Sequence, residues 1–328
     1  MRRNHSRTFL MYALATYGLA GSVNAVDAQP RAEEFRPQKL LDPLPPITEF
    51  PVKQVKEVGD ALNPSELVIG VTIGNESRAY PVNMLTGPRR EILNDKLGGK
   101  AIAVMWCHLC HYGIVFAADV GKRKLTFGVS GMLWNRSLVM YDKETGTLWS
   151  LILGEAMQGK LKGEKLEQVP CMMTDWKTWS REHPDGTVVM LSRSSTEYKT
   201  DFYKRPEQFV LGIANSAKVK SWRLDALAKA TVVNDTCREK PVVVLFDKES
   251  MTARLYSRTV GNKELTFESG ENGIRDMETG STWEPTTGRA TAGPLKGEHL
   301  TPLNGILSYR DVWTKFHPKS ETYPVDKK

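Results

Sequence analysis

The chain has 328 residues, 40% of them hydrophobic, 25% charged and 9% aromatic, which is the balance of a packed globular protein and not of a disordered one. That length suits two domains of ordinary size or one large one. The net charge of +7 comes without any long Lys/Arg run, so no electrostatic footprint for nucleic acid is present.

Residues 1–28 read as a secretory signal peptide. Arg2, Arg3 and Arg7 supply the positive end, and residues 8–22 (TFLMYALATYGLAGS) are apolar and uncharged. Small-residue cleavage patterns end at Ala25 and at Ala28. The apolar run is shorter than the roughly 20 residues a spanning helix needs. The mature chain is therefore expected in the periplasm or outside the cell, with no stable membrane insertion. An exposed Cys-x-x-Cys in such an oxidising compartment tends to be oxidised unless a metal or a reducing partner protects it. Residues 29–58 carry six prolines and little periodicity, and are predicted to form an extended arm, since proline denies helix and central-strand pairing.

Beyond the arm the chain repeats itself. Asn94-Asp95, then Lys100 followed by 101–106, recurs 140 positions later as Asn234-Asp235, then Lys240 followed by 241–246. Leu125-Thr126-Phe127 recurs as Leu265-Thr266-Phe267. At an offset of 134, Asp142, Thr145-Gly146 and Trp149 match Asp276, Thr279-Gly280 and Trp283. Trp179 and His183-Pro184 match Trp313 and His317-Pro318, and upstream Gly70 matches Gly212. These matches in one order indicate a duplicated module. The boundaries read as a first module over 59–192, a polar linker over 193–208 and a second, degenerate module over 209–325.

Each module is predicted to be mainly β, because 68–73, 101–106, 113–118 and 124–129 are short β-branched or aromatic runs split by Gly, Asn and Asp. A few short helices accompany them. One is expected after Thr174 as its cap, carrying Trp176 and Trp179 and stopping before Pro184; Ser308 is expected to open its counterpart. The fold class is thus two tandem homologous β-rich modules packed together.

A duplicated chain contains its own control: what both copies share serves the fold, and what one copy adds is a candidate for function. The stretch Met105-Trp106-Cys107-His108-Leu109-Cys110-His111-Tyr112 holds two of the four cysteines and two of the six histidines. In the other copy Cys107 faces Asp247, His108 faces Lys248, Cys110 faces Ser250 and His111 faces Met251. That copy reads there as a β-hairpin with a four-residue polar turn, which places Cys107 to Cys110 on a turn as well. A turn aims both sulfurs the same way, as half a metal site requires, and His108 and His111 extend the donor set toward copper or zinc. A second reading is reversible thiol–disulfide chemistry, although no helix follows the pair to lower a thiol pKa. A third is covalent haem on Cys-x-x-Cys-His with His111 as axial ligand. The fourth is a structural disulfide in a binding or scaffold module. A further difference is the hairpin 130–142 (SGMLWNRSLVMYD), longer in the first copy. It is expected to wall the cysteine turn with Trp134, Asn135 and Arg136, the guanidinium holding an anionic group of a small molecule or cofactor. No catalytic residue is assigned, and Cys171 and Cys237 read as buried thiols or as each other's partners.

The run from Asn94-Asp95 to Phe116, then Leu125-Thr126-Phe127-Gly128-Val129-Ser130-Gly131, Leu138-Val139-Met140-Tyr141-Asp142 and Thr145-Gly146 to Trp149 resemble the bacterial and archaeal family of domain of unknown function 3179. Glu278-Thr279-Gly280-Ser281-Thr282-Trp283 and Ala292-Gly293-Pro294-Leu295 in the second copy are similar to it too. The resemblance covers about 45–325 and brings no established activity. Members usually show Cys-Pro-Leu-Cys-Gly, so His108 and His111 are this chain's departures, which counts against haem as the family's chemistry.

Overall fold

In a computed structural model of the protein, residues 34–214, 219–270 and 273–324 are described; the expected leader at 1–28 lies outside them. The residues that recur along the sequence close the same contacts twice. The Asn94 side chain accepts from the Phe127 N–H and donates to its carbonyl, both at 2.8 Å, and Asn234 does the same to Phe267 at 2.9 and 2.7 Å. Asp142 gathers the Thr145 N–H, the Thr145 hydroxyl and the Trp149 indole N–H within 2.6–2.9 Å; Asp276 gathers those of Thr279 and Trp283. A buried carboxylate satisfied by three donors fixes each turn and the Trp behind it. Gly70 and Gly212 let the rings of Trp179 and Trp313 lie directly on the strand, since a Cβ there would come within 2.0 and 2.3 Å of a ring carbon.

Among the described residues each copy is built from three larger, antiparallel-dominated sheets and one two-stranded ribbon, Asp119–Val120 with Arg123–Lys124 in the first and Thr259–Val260 with Lys263–Glu264 in the second. In the first copy, Leu67–Ile73 lies between Cys171–Asp175 and Glu76–Pro81. Lys100–Cys107 lies between Ile92–Leu97 and Tyr112–Ala117, and Phe127–Trp134 pairs with Ser137–Asp142. In the second, Phe209–Ile213 lies between Ile306–Tyr309 and Lys220–Arg223. Lys240–Asp247 lies between Val232–Cys237 and Thr252–Ser257, and Phe267–Gly270 pairs with Gly273–Asp276. The arm is stitched to two sheet edges: Gln38–Lys39 pairs with Leu133 and Met132, and Val52–Gln54 with Thr187–Val189. Among the described residues no helix is long and apolar enough to cross a membrane.

Lys100–Cys107 explains its own apolar sequence. Ile102, Val104 and Trp106 face one buried cluster, while Ala103, Met105 and Cys107 face another, so both faces of the strand are covered and the usual alternation disappears. The first cluster also takes Leu211, Val244 and Phe246 from the second copy. The modules therefore share a core.

Two expected helix caps are corrected. The helix Trp176–Glu182 is capped by Asp175, whose carboxylate accepts from the Thr178 N–H at 2.9 Å, and not by Thr174. Its counterpart Arg310–Phe316 has no side-chain cap from Ser308. Both hydroxyls sit in the preceding strand and bond across to the other copy, Thr174 with Thr252 at 2.8 Å and Ser308 with the Cys110 carbonyl at 3.3 Å. The strand that leads into each of these helices thus locks the other copy's hairpin. The segment read as a linker also carries the helix Lys199–Phe202, and Leu224–Ala230 is a helix the sequence reading lacked.

Candidate functional site

Cys107 ends one strand, and Tyr112, opposite it, begins the next, so the four residues between them form the hairpin turn. The two cysteines are disulfide-bonded, with Cα atoms 5.3 Å apart. The second copy makes the same turn: Asp247 pairs with Thr252 across it, and Met251 has φ +57° where His111 has +52°. There the Asp247 carboxylate accepts from the Ser250 N–H at 2.9 Å and from the Ser250 hydroxyl. Position for position, a hydrogen-bonded Asp–Ser closure stands where the first copy has a covalent one.

The cysteine turn is clamped from both sides. From the second copy, the Tyr309 N–H donates to the Cys110 carbonyl at 3.0 Å, beside the Ser308 hydroxyl. From the first copy comes the tip of the longer hairpin, where Asn135 and Arg136 take positive φ of +50° and +69° between Trp134 and Ser137. A two-residue turn with both residues left-handed matches the strand twist, and Asn is suited to it. This tip brings the Arg136 carbonyl oxygen to 3.3 Å from Cys110 Sγ and the Arg136 guanidinium to 3.1 Å from the Leu109 carbonyl. The same guanidinium pairs with the Asp311 carboxylate, so the anion it holds belongs to the second copy. Trp134 is buried edge-on between Phe35 of the arm and Phe316. A cleft of about 470 Å³ runs along this tip, lined by Glu34, Arg36 and Gln38 as well as Leu133 to Arg136.

The four residues proposed as metal ligands part company. His111 turns its fully buried ring away into a cage of Trp106, Phe202, Tyr203, Phe209 and Tyr309, with ring centroids 4.8–5.5 Å distant. Its Nε2 lies 3.2 Å from the Tyr203 hydroxyl, and its Nδ1 has no partner among the described residues. Burial, reinforced by His108, pushes the His111 imidazole down to about 3, so the ring is neutral at any ordinary pH. His108 is half-buried, and its Nδ1 is likewise buried and unpartnered among the described residues. Leu109 at the tip is 45% exposed, while both cysteines lie beneath the surface. With Cys107 and Cys110 bonded to each other, no three His, Cys, Asp or Glu side chains among the described residues gather as a metal site would require. For haem, the caged His111 ring presents no open face. Cys171 and Cys237 are both free thiols.

The shared residues keep their structural reading. His183 stacks on Trp179 at 3.9 Å and His317 on Trp313 at 4.3 Å, at corresponding helix ends. The cage around His111 was missed from sequence, because Phe202 and Tyr203 fall in the segment read as linker and Phe209 and Tyr309 in the second copy. Glu91 was missed as well. It is buried beside Trp106, whose N–H donates to the Glu91 carbonyl at 2.9 Å, and burial pushes its carboxyl up to about 7. Its counterpart in the other copy is Thr231, so the acid also belongs to one copy alone.

Residues 41–208, and again 203–320, match the model of the family described as Protein of unknown function (DUF3179). The chain belongs to that family. Two successive matches to one family model agree with the duplication and with the doubled contacts of the fold. No curated protein and no solved structure gives a match to this DUF3179 chain.

Proposed function

We propose that this DUF3179 protein is exported and works at the Cys107–Cys110 turn by reversible thiol–disulfide exchange. The observation that carries the reading is the one-copy cysteine pair, bonded across a turn that the other copy closes with Asp247 and Ser250. A fold that needs no sulfur at this turn leaves the pair available for chemistry. The leader-like sequence at 1–28 supports an oxidising compartment, where such a pair rests as the disulfide. The test is equilibration of the folded protein in glutathione redox buffers, counting free thiols by alkylation and mass. Exchange that reaches equilibrium in the native state supports the reading; a pair reducible only after unfolding refutes it.

A second reading, a soft metal ion on the reduced pair, is favoured by the buried, unpartnered Nδ1 of His108 next to Cys107. Thiolates with one imidazole suit copper or zinc. Metal analysis of reduced protein, with Cys107→Ser and His108→Ala as comparisons, tests it. Stoichiometric metal lost in both variants supports it, and metal-free wild-type protein removes it.

A further inference from the structure

We infer that the two sulfurs of the turn are unequal: in the reduced pair Cys107 is the attacking thiolate and Cys110 the protonated, resolving thiol. This rests on the exchange reading above. The asymmetry is geometric. Cys110 Sγ lies 3.3 Å from the Arg136 carbonyl oxygen, whereas among the described residues Cys107 Sγ has no such acceptor. A carbonyl oxygen welcomes an S–H and opposes negative charge on the same sulfur.

The acceptor is held in place. Asn135 and Arg136 hold the hairpin tip with positive φ, and the Arg136 guanidinium ties that tip to the Leu109 carbonyl and to Asp311. Cys110 cannot drift from it, because the Tyr309 N–H and Ser308 hydroxyl hold its own carbonyl. The longer hairpin that delivers the acceptor belongs to the copy that has the cysteines. In the other copy the paired strands are shorter, Phe267–Gly270 and Gly273–Asp276.

The step is a disulfide exchange with a partner disulfide as oxidant. The exposed turn tip at Leu109 opens to uncover the buried Cys107, whose thiolate attacks one partner sulfur; the partner's S–S bond breaks, and its other sulfur takes the electron pair and then a proton. Cys110 gives its proton to solvent and attacks Cys107 in the mixed disulfide. The Cys107–Cys110 bond re-forms, and the released partner thiolate is protonated. The partner gains two electrons from the pair and two protons. One proton is matched by the Cys110 proton released to solvent; the other is taken from solvent, which had received the Cys107 proton when its thiolate formed.

The experiment compares Cys110→Ser, which keeps Cys107, with Cys107→Ser, which keeps Cys110. Each is reacted with oxidised glutathione over a range of pH after circular dichroism has established the native spectrum. Cys107 is expected to react faster at neutral pH by about threefold, since one unit of thiol pKa gives about tenfold more thiolate while the lower-pKa thiolate is a weaker nucleophile. Reduced wild-type protein gives a second readout: brief iodoacetamide treatment and peptide mapping should find Cys107 labelled before Cys110. Equal labelling, or faster reaction at Cys110, overturns the assignment and leaves the exchange reading standing. If neither thiol reacts without denaturant, both fall.

Discussion

Replacing Cys107→Asp together with Cys110→Ser would install the second copy's closure in the first copy's turn. The loss is the cross-link. A disulfide spanning Cys107 to Cys110 closes a loop of four residues. The chain-entropy relation for that loop gives about 6 cal/mol/K, or about 2 kcal/mol at 25 °C. The gain is a pair of hydrogen bonds of the kind Asp247 offers the N–H and hydroxyl of Ser250, contributing about 1 kcal/mol or more. The net cost should therefore stay below about 2 kcal/mol. Unfolding entropy of about 2.1 cal/mol/K per residue over 328 residues turns that into a fall in Tm of at most about 3 °C. Differential scanning calorimetry at neutral pH measures it, with Cys107→Ser/Cys110→Ser as the variant lacking either closure. A fall of 10 °C or more with native-like spectra, or failure to fold, would show that the cross-link builds the module, and the inference drawn from the second copy would be wrong.

Gly70→Ala should destabilise by about 3 kcal/mol or more, because its Cβ would stand 2.0 Å from a Trp179 ring carbon and the ring has to move; an unchanged urea midpoint would contradict the contact. Gly212→Ala should behave alike against Trp313. Glu91→Gln should make stability less dependent on pH. The Glu91 carboxyl, raised from 4.5 to about 7 in the fold, favours the folded state below its ordinary value, and that contribution is lost as pH rises from 4.5 through 7. The variant should match wild type at pH 4.5 and exceed it at pH 8 by up to about 3 kcal/mol in chemical denaturation; equal slopes against pH would rule the shift out. Arg136→Ala removes an ion pair with Asp311 whose side chains are 47% and 58% exposed, so its cost should be about 0–1 kcal/mol; a loss beyond about 2 kcal/mol would mean the clamp carries far more than such geometry allows.

The sequence by itself determined the duplication, the β character and the place of the cysteines on a turn. These were legible because they depend on local pattern and on comparison at a fixed offset. Asn94 and Asn234, or Asp142 and Asp276, recur because each copy needs the same bonds at the same corners. The nomination of the hairpin tip at Trp134, Asn135 and Arg136 came from that comparison too, and the tertiary structure sets this tip against the cysteine turn. Partners were another matter. Thr174 and Ser308 look like helix caps from their neighbours in sequence, yet each hydroxyl is taken by the opposite copy. His111 looks like a ligand from its spacing to Cys107 and Cys110. Its left-handed backbone instead sends the ring into aromatic side chains gathered from the linker and the second module. A side chain's spacing is written in the sequence, but the direction it points and the group it meets follow from how the two modules pack. The acceptor that sets Cys110 apart from Cys107 is a backbone carbonyl, which carries no letter in a sequence, so only the tertiary structure reveals it.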